Sequence, residues 1–455
     1  MAIAEILSRI AAELALFAGV GFLTFAINDL AIDLIYFARS VWRSATVYTR
    51  YPRAFASYYV FNKDPGLIAI LVPAWDEASV IAAMLKATLK RLDYDRYRIF
   101  VGYYQNDPAT AAAIASVADP RIEAVELPVD GPTTKADCLN HLYDALIAYE
   151  TAADCEAKAI VLHDAEDVVH RFELRIFDGL IGRAALVQLP VLPLPDPHSR
   201  WISGHYCDEF AEAHIKELVV REAIGAAIPL AGVGCAIERR ALGRLAALQD
   251  GRPFAGSSMT EDYEVGLRLG ALGLKTMFVR IPTQPGERAI VASRGHFPAT
   301  LGSDRPKARW LGGIALSGWD RLGWSGGWGE RWMRMRDRRG PLAALLLLAA
   351  YAAALLWSQL WLAEALGAPI RARLSPGLIT LLAINGWLLA WRVLMRAAFT
   401  TAAYGWIEGL WSVPRLVVGN VIAMLAAGRA VSLHLGGGAT HWDKTRHIFP
   451  AELPQ

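Results

Sequence analysis

The chain has 455 residues, of which 54% are apolar and only 20% charged, against about 25% charge in an average soluble domain, which disfavours a wholly soluble protein. Lys+Arg 46 against Asp+Glu 44 leaves a formal net charge of +2, without the basic excess that neutralises a nucleic-acid backbone, so nucleic acid is not an expected partner. Cys138, Cys155, Cys207 and Cys235 stand too far apart for a Cys-x-x-Cys site and too sparse for a disulfide framework, which fits a reducing, cytoplasmic setting.

In chain order, residues 14–27 carry no charge, and after Asn28 and Asp29 the apolar character resumes to Phe37. This predicts a first membrane helix, long enough for a bilayer core of about 30 Å. Asp29 and Asp33 fall on one helix face. At that depth ionisable groups turn inward to a partner or lie near the water interface. Glu5 and the absence of a small-residue cleavage site argue against a signal peptide. Arg39, Arg43, Arg50 and Arg53 then form a basic juxtamembrane stretch that completes a first region, residues 1–60.

Residues 61–310 read as an α/β domain with a mostly parallel sheet, because short β-branched runs alternate with helical stretches. Strands are predicted over 67–72, 99–104, 122–127, 159–163 and 185–189, with helices over 79–91 and 135–149. In such sheets ligands bind beyond the carboxyl ends of the strands. Acids gather there: Glu77 after the first strand, Asp107 after the second, and Asp164, Glu166 and Asp167 after the fourth. A single acid at such a point is commonly a helix cap, but the recurrence at one sheet edge points to a site. Asp164-x-Glu166 with Asp167 can hold one hard divalent cation and leave positions open for phosphate oxygens. Glu261 and Asp262 precede an apolar helical stretch, where either reads as a helix-start residue or as a general base. There is no Gly-x-Gly-x-x-Gly after the first strand, no P-loop and no Gly-x-Ser-x-Gly elbow, which disfavours dinucleotide oxidoreductases, P-loop ATPases and serine hydrolases.

Residues 311–340, rich in Trp, Arg and Gly, are expected to lie at the membrane surface. Residues 342–363 and 374–391 are two further predicted spans, the second bracketed by Arg373 and Arg392. Residues 413–433 carry Pro414, Arg415, Asn420 and Arg429 and read as an interfacial helix rather than a fourth span. A tail, 436–455, follows. Arginines flank the middle region on both sides, which predicts that it is cytoplasmic, with the N-terminus outside and the tail inside.

Taken in order, Val72-Pro73-Ala74 with Glu77, Asp107, the Lys135–Asn140 segment, Asp164-Ala165-Glu166-Asp167, Gly232-Val233-Gly234-Cys235, Thr260-Glu261-Asp262 and Arg309-Trp310 resemble a membrane-bound family 2 glycosyltransferase of GT-A fold. The domain would be inserted between the N-terminal membrane helix and a C-terminal membrane and interfacial region. Residues 106–110, residues 163–167 and the tail 442–447 resemble the bacteriophage adsorption protein B family, inner-membrane glycosyltransferases implicated in an exported surface glycan; cellulose and hyaluronan synthases are more distantly similar. The resemblance implies that Pro73, Glu77, Asp107, Lys135 and Arg309 bind a nucleotide sugar, with UDP the family expectation. It implies that Asp164 and Glu166, with Asp167 as alternate, bind Mg²⁺ or Mn²⁺, that Asp262 with Glu261 is catalytic, and that Gly234, Cys235 and Trp310 meet a lipid-linked or glycan acceptor. An outer-membrane or periplasmic export partner is also implied. Larger family members carry a further domain that binds a cyclic dinucleotide, and control by that messenger is not expected from this sequence. One departure is Pro306, which stands where the family's Gln-x-x-Arg-Trp has its Gln. This favours single transfer over a processive synthase that translocates its polymer. A catalytically silent membrane scaffold or phage-receptor component is the reading from another class.

Overall fold

The computed structural model describes residues 2–58, 64–285, 290–297, 304–368, 374–436 and 447–450. A long helix, α1 (Ala2–Thr46), leads into the α/β domain. There β1 (Ile68–Pro73), α2 (Ile81–Arg91), β2 (Tyr97–Tyr104), α3 (Pro108–Ala115), β3 (Ile122–Leu127), α4 (Lys135–Ala152) and β4 (Ala159–Leu162) alternate. Next come α5 (Glu173–Leu180), β5 (Leu186–Gln188), α6 (Ile202–Glu212), α7 (Leu218–Ala223), β6 (Cys235–Glu238), α8 (Arg239–Ala247), α9 (Glu261–Ala271), β7 (Thr276–Phe278) and α10 (Asp304–Leu311).

The strands form one seven-stranded sheet in the order β3-β2-β1-β4-β6-β5-β7. The first four are mutually parallel, whereas β6 runs antiparallel to both of its neighbours. Every residue of β1 and β4 is buried, as strands covered by helices on both faces must be. Side-chain alternation sends Ile68, Ile70 and Val72 to one face with Ile81, Leu85 and Phe177, and Ala69 and Leu71 to the other with Leu139, Leu142 and Leu245. Full burial of each large apolar side chain contributes about 1.5–3 kcal/mol. The five expected strands fall on β1–β5 within two residues, but β6 and β7 were not anticipated. They are four and three residues long, too short for a periodic signal.

The remaining helices are α11 (Gly318–Leu322), α12 (Trp328–Arg338), α13 (Gly340–Ala365), α14 (Pro376–Tyr404) and α15 (Trp406–Leu435). Among the described residues, four helices are long and apolar enough to cross a membrane: Ile3–Thr46, Gly340–Ala365, Pro376–Tyr404 and Trp406–Leu435. Ala11 packs against Trp357 and Leu360 of α13, and Ala15 against Ala353 and Leu378. At Gly21 an added Cβ would lie 2.4 Å from Leu346, so a bare glycine is what allows α13 to approach, as small residues do in lipid.

Where this bundle meets the α/β domain, Asp29 pairs with Arg336 at 2.9 Å and Arg339 at 2.8 Å. Asp33 meets Lys216 at 2.5 Å and accepts a hydrogen bond from Trp391 Nε1 at 2.8 Å. These are the partners anticipated for two acids at that depth.

The helix 406–435 meets the length and composition of a fourth span, which the sequence reading assigned to the membrane surface. It packs on α13 and α14 as well as on the α/β domain. Trp411 meets Trp201, Arg415 pairs with Asp208 at 3.1 Å, and Ala426 and Ala430 pack on Ala308.

Candidate active site

Four loops at the carboxyl ends of β1, β2 and β4 and at the entry to β6 converge at one edge of the sheet. After β1, Asp76 adopts a left-handed conformation (φ 52°), which aims its backbone N–H at Asp107 Oδ2, 2.6 Å away. Asp107 also caps α3, its Oδ1 accepting from Thr110 N at 3.2 Å. Both oxygens therefore accept backbone N–H groups, so Asp107 caps α3 and holds the loop after β1, with acceptor capacity left on each oxygen. Pro73 is the last, buried residue of β1, in register with Gly102. It sets the course of the loop and presents no open face to a ligand, contrary to expectation. Glu77 is 3% exposed, and its backbone N–H donates to Thr110 Oγ1 at 2.9 Å.

The loop after β4 is held from beneath. His163 places Nδ1 3.2 Å from Asp167 Oδ2 and Nε2 2.7 Å from Glu173 Oε1. Burial opposes a charged ring, but these carboxylates outweigh it and raise His163 to about 10. Asp167 also accepts the Asp164 backbone N–H at 2.9 Å. Its Oδ2 thus braces the loop's own frame.

Asp164 and Glu166, one residue on either side of Ala165, turn away from that frame, Asp164 to Lys135 and Glu166 to His447. Lys135, the first residue of α4, brings its Nζ to 2.5 Å from Asp164 Oδ1 and 4.0 Å from Glu261 Oε1. Burial works against the ammonium, yet Asp164, Glu261 and Asp262 hold it charged and raise its pKa. Burial would raise Asp164 as well, but Lys135, His447 and Arg309 lower it.

Glu261 and Asp262 open α9. Burial raises Asp262 above the usual carboxylate range against the pull of Lys135, and burial with the Asp262 charge beside it lifts Glu261 to about 7. Asp262 Oδ1 accepts from Tyr263 N at 2.7 Å, and its other oxygen faces Gly232. A Cβ at Gly232 would lie 2.5 Å from Asp262 Oδ2, and the residue has φ 78°, so only glycine suits both the turn and the acid.

Arg309 and Trp310 lie on α10. The Arg309 charge acts on Asp164, Glu261 and Asp262 alike. Trp310 joins an aromatic cluster with Tyr206, Phe210 and Phe297, its ring 6.0–6.1 Å from each. Pro306 is buried one turn earlier on the same helix. Cys235 begins β6 with no exposed surface, hydrogen-bonded in register with Leu162 and Gln188, and burial holds its thiol far up the scale. Gly234 (φ 58°) sits against Ser293. The acceptor contact expected of Cys235 is therefore corrected to a core position, and Gly234 serves the turn that leads into the strand.

One member of the pocket was not assigned a role from sequence. His447 places Nδ1 2.8 Å from Glu77 Oε1 and 3.2 Å from Glu166 Oε2, and Phe449 packs on the core beneath β1. The tail reads as a motif, but a side chain 370 positions from its partner leaves no local signal. Trp442–Arg446 lie outside the described residues.

The model of the "Glycosyltransferase like family 2" family matches residues 65–313. The chain is 37% identical over 458 residues to "Bacteriophage adsorption protein B" of Escherichia coli (strain K12), covering 93% of this chain and 60% of that protein. The same figures hold for "Bacteriophage N4 adsorption protein B" of Escherichia coli O157:H7, so the chain spans about 60% of the length of the curated relatives it matches. Among solved structures it is similar in fold to a mannosyltransferase, PcManGT from Pyrobaculum calidifontis, solved in complex with GDP-Man and Mn²⁺. The TM-score there is 0.50 at 19% identity, covering 89% of this chain and 99% of that one.

Proposed function

This chain belongs to the family 2 glycosyltransferases, and from that premise we propose that it transfers a sugar from a nucleotide-sugar donor, with inversion, to a lipid-linked or glycan acceptor at the cytoplasmic face of a bacterial inner membrane. The observation that carries this reading is the convergence of Lys135, Asp164, Glu261 and Asp262 at one sheet edge, the lysine within 4.0 Å of two of the acids.

Asp262 is the base. It removes the proton from the acceptor hydroxyl as that oxygen forms its bond to the anomeric carbon, and the bond to the diphosphate breaks on the opposite side. A carboxylate raised by burial is better matched to that transfer than an ordinary aspartate. Lys135 and Arg309 offset the charge that builds on the departing nucleoside diphosphate. Trp310, in its aromatic cluster, offers a sugar face a surface to stack on.

The donor set suits a divalent cation. Glu77, Glu166 and His447 bring one ligand atom each within 4.8 Å of one another, and Glu166 Oε2 is buried without a hydrogen-bond partner. Asp164 and Glu166 would hold the ion, which when bound supplies positive charge to the donor diphosphate. That PcManGT was solved with GDP-Man and Mn²⁺ supports the same assignment.

The same reading includes a membrane arrangement. The catalytic site and the belt of Arg336, Arg339 and Arg392 lie at the cytoplasmic side, three helices cross, and α15 runs along the interface beneath the domain. Contact of α15 with the domain at Trp411, Arg415, Ala426 and Ala430 supports this interfacial course, while Asn420 Nδ2 donates to the Tyr351 hydroxyl of α13 at 3.1 Å. The product is a surface glycan precursor, passed to an export partner.

The test is release of nucleoside diphosphate by the purified full chain in nanodiscs, across UDP- and GDP-sugars with Mg²⁺ or Mn²⁺ and bacterial membrane lipids as acceptors. Release from one donor that requires metal is expected. No release from any donor would contradict the reading in favour of a silent scaffold.

A further inference from the structure

We propose that His447, from the C-terminal tail, is a nitrogen ligand of the divalent cation at the donor site, sharing that ion with Glu166 and Glu77. The inference rests on the metal-dependent reading above and adds a residue beyond the acidic pair of the loop after β4.

The geometry carries it. In the structure His447 Nδ1 lies 2.8 Å from Glu77 Oε1 and 3.2 Å from Glu166 Oε2. One imidazole nitrogen offers a single N–H or a single lone pair, so it cannot donate to both carboxylates at once. Only the Glu77 contact has hydrogen-bond geometry, and Glu166 Oε2 is left buried without a donor. Around an octahedral ion with ligand bonds of about 2.1 Å, neighbouring ligand atoms sit about 3 Å apart. All three ligand atoms lie within 4.8 Å of one another, close enough to share one cation, which would give Glu166 Oε2 the partner it lacks.

The tail is held so that this nitrogen stays in place. Phe449 packs against the core cluster that contains Val72 and Val80, the residues flanking the loop that carries Glu77, and Pro450 is buried three positions beyond His447. Two consequences follow from a ligand on the tail. Cation binding and tail docking stabilise each other, because each completes the other's contacts. A nitrogen donor also shifts preference from Mg²⁺, which favours oxygen alone, toward Mn²⁺ and later transition ions.

The experiment is electron spin-echo envelope modulation on the full chain in nanodiscs, loaded with Mn²⁺ alone and with Mn²⁺ plus UDP. This method detects nitrogen bonded to manganese and does not depend on turnover. Modulation from an imidazole nitrogen is expected in the wild type. It should vanish in His447→Ala and in His447→Gln, which keeps a polar side chain without the ring, while Mn²⁺ affinity falls on the order of tenfold or more. Bound Mn²⁺ without histidine modulation, or modulation that survives both substitutions, overturns the inference and leaves metal-dependent transfer standing. A wild-type chain that binds no Mn²⁺ in either state overturns both.

Discussion

Gly232 ties the backbone to the chemistry. Its φ of 78° is a region that costs an L-residue about 1–2 kcal/mol, and a methyl group there would press on Asp262 Oδ2. Gly232→Ala is expected to remain folded, with a melting temperature lowered by only a few degrees, yet to lose on the order of 10²-fold in kcat, because the base is displaced by a fraction of an ångström. Wild-type kcat in that variant would show that Asp262 has no fixed position to lose. The acids at this scale illustrate what a sequence conceals. Asp107, Asp164, Glu166 and Asp167 are chemically alike in a string of letters. Asp107 is drawn into capping α3, Asp167 into holding His163, and only Asp164 and Glu166 turn outward. Local propensity says that each ends a strand, and side-chain direction is decided by groups far away in the chain.

At the scale of elements, the contact between membrane helices and catalytic domain hinges on Lys216. It sits in a π-helical turn (Ala213–Glu217) between α6 and α7 and is fully buried, paired with Asp33 of α1 and, at 2.6 Å, with Glu212. Breaking a buried pair from one side leaves charge stranded, at a cost of about 3–5 kcal/mol. Lys216→Met should destabilise the chain by about that much in thermal unfolding in nanodiscs, and adding Asp33→Asn should recover part of the loss. Unchanged unfolding in the single variant would remove the pair from the account of how the two parts are joined. The helices themselves were legible, since α1, α13 and α14 announce themselves as uncharged runs and β1–β5 as β-branched ones. Lys216 was not, because the turn that carries it lies 183 positions from Asp33, and the two short strands β6 and β7 take their form from neighbours already in the sheet.

For the whole molecule, three buried histidines set an acid limit. Burial lowers His214 to about 3, and it lowers His205 and His170 to about 4. His214 is neutral in the fold, its Nδ1 accepting from Val191 N at 3.1 Å. In the unfolded chain these rings take up protons near pH 6.5. Between about pH 6.5 and 4 the unfolded state therefore binds more protons, so their contribution is fully present above about 6.5 and is lost as pH falls. Unfolding temperature should decline over that range, with a shallower slope in His214→Gln. An equal slope in the variant would mean that other groups set the limit. The same scale joins the tail to the fold: His447 lies at the catalytic edge against Glu77 and Glu166.

The central claim is that this site performs base-assisted sugar transfer with Asp262 as the base, and one paired measurement on Asp262→Asn tests it most directly: turnover of the preferred nucleotide sugar beside equilibrium affinity for the same donor. The account predicts that turnover falls by roughly 10²-fold to 10⁴-fold or more while donor affinity stays near the wild-type value. Turnover at the wild-type rate would contradict it.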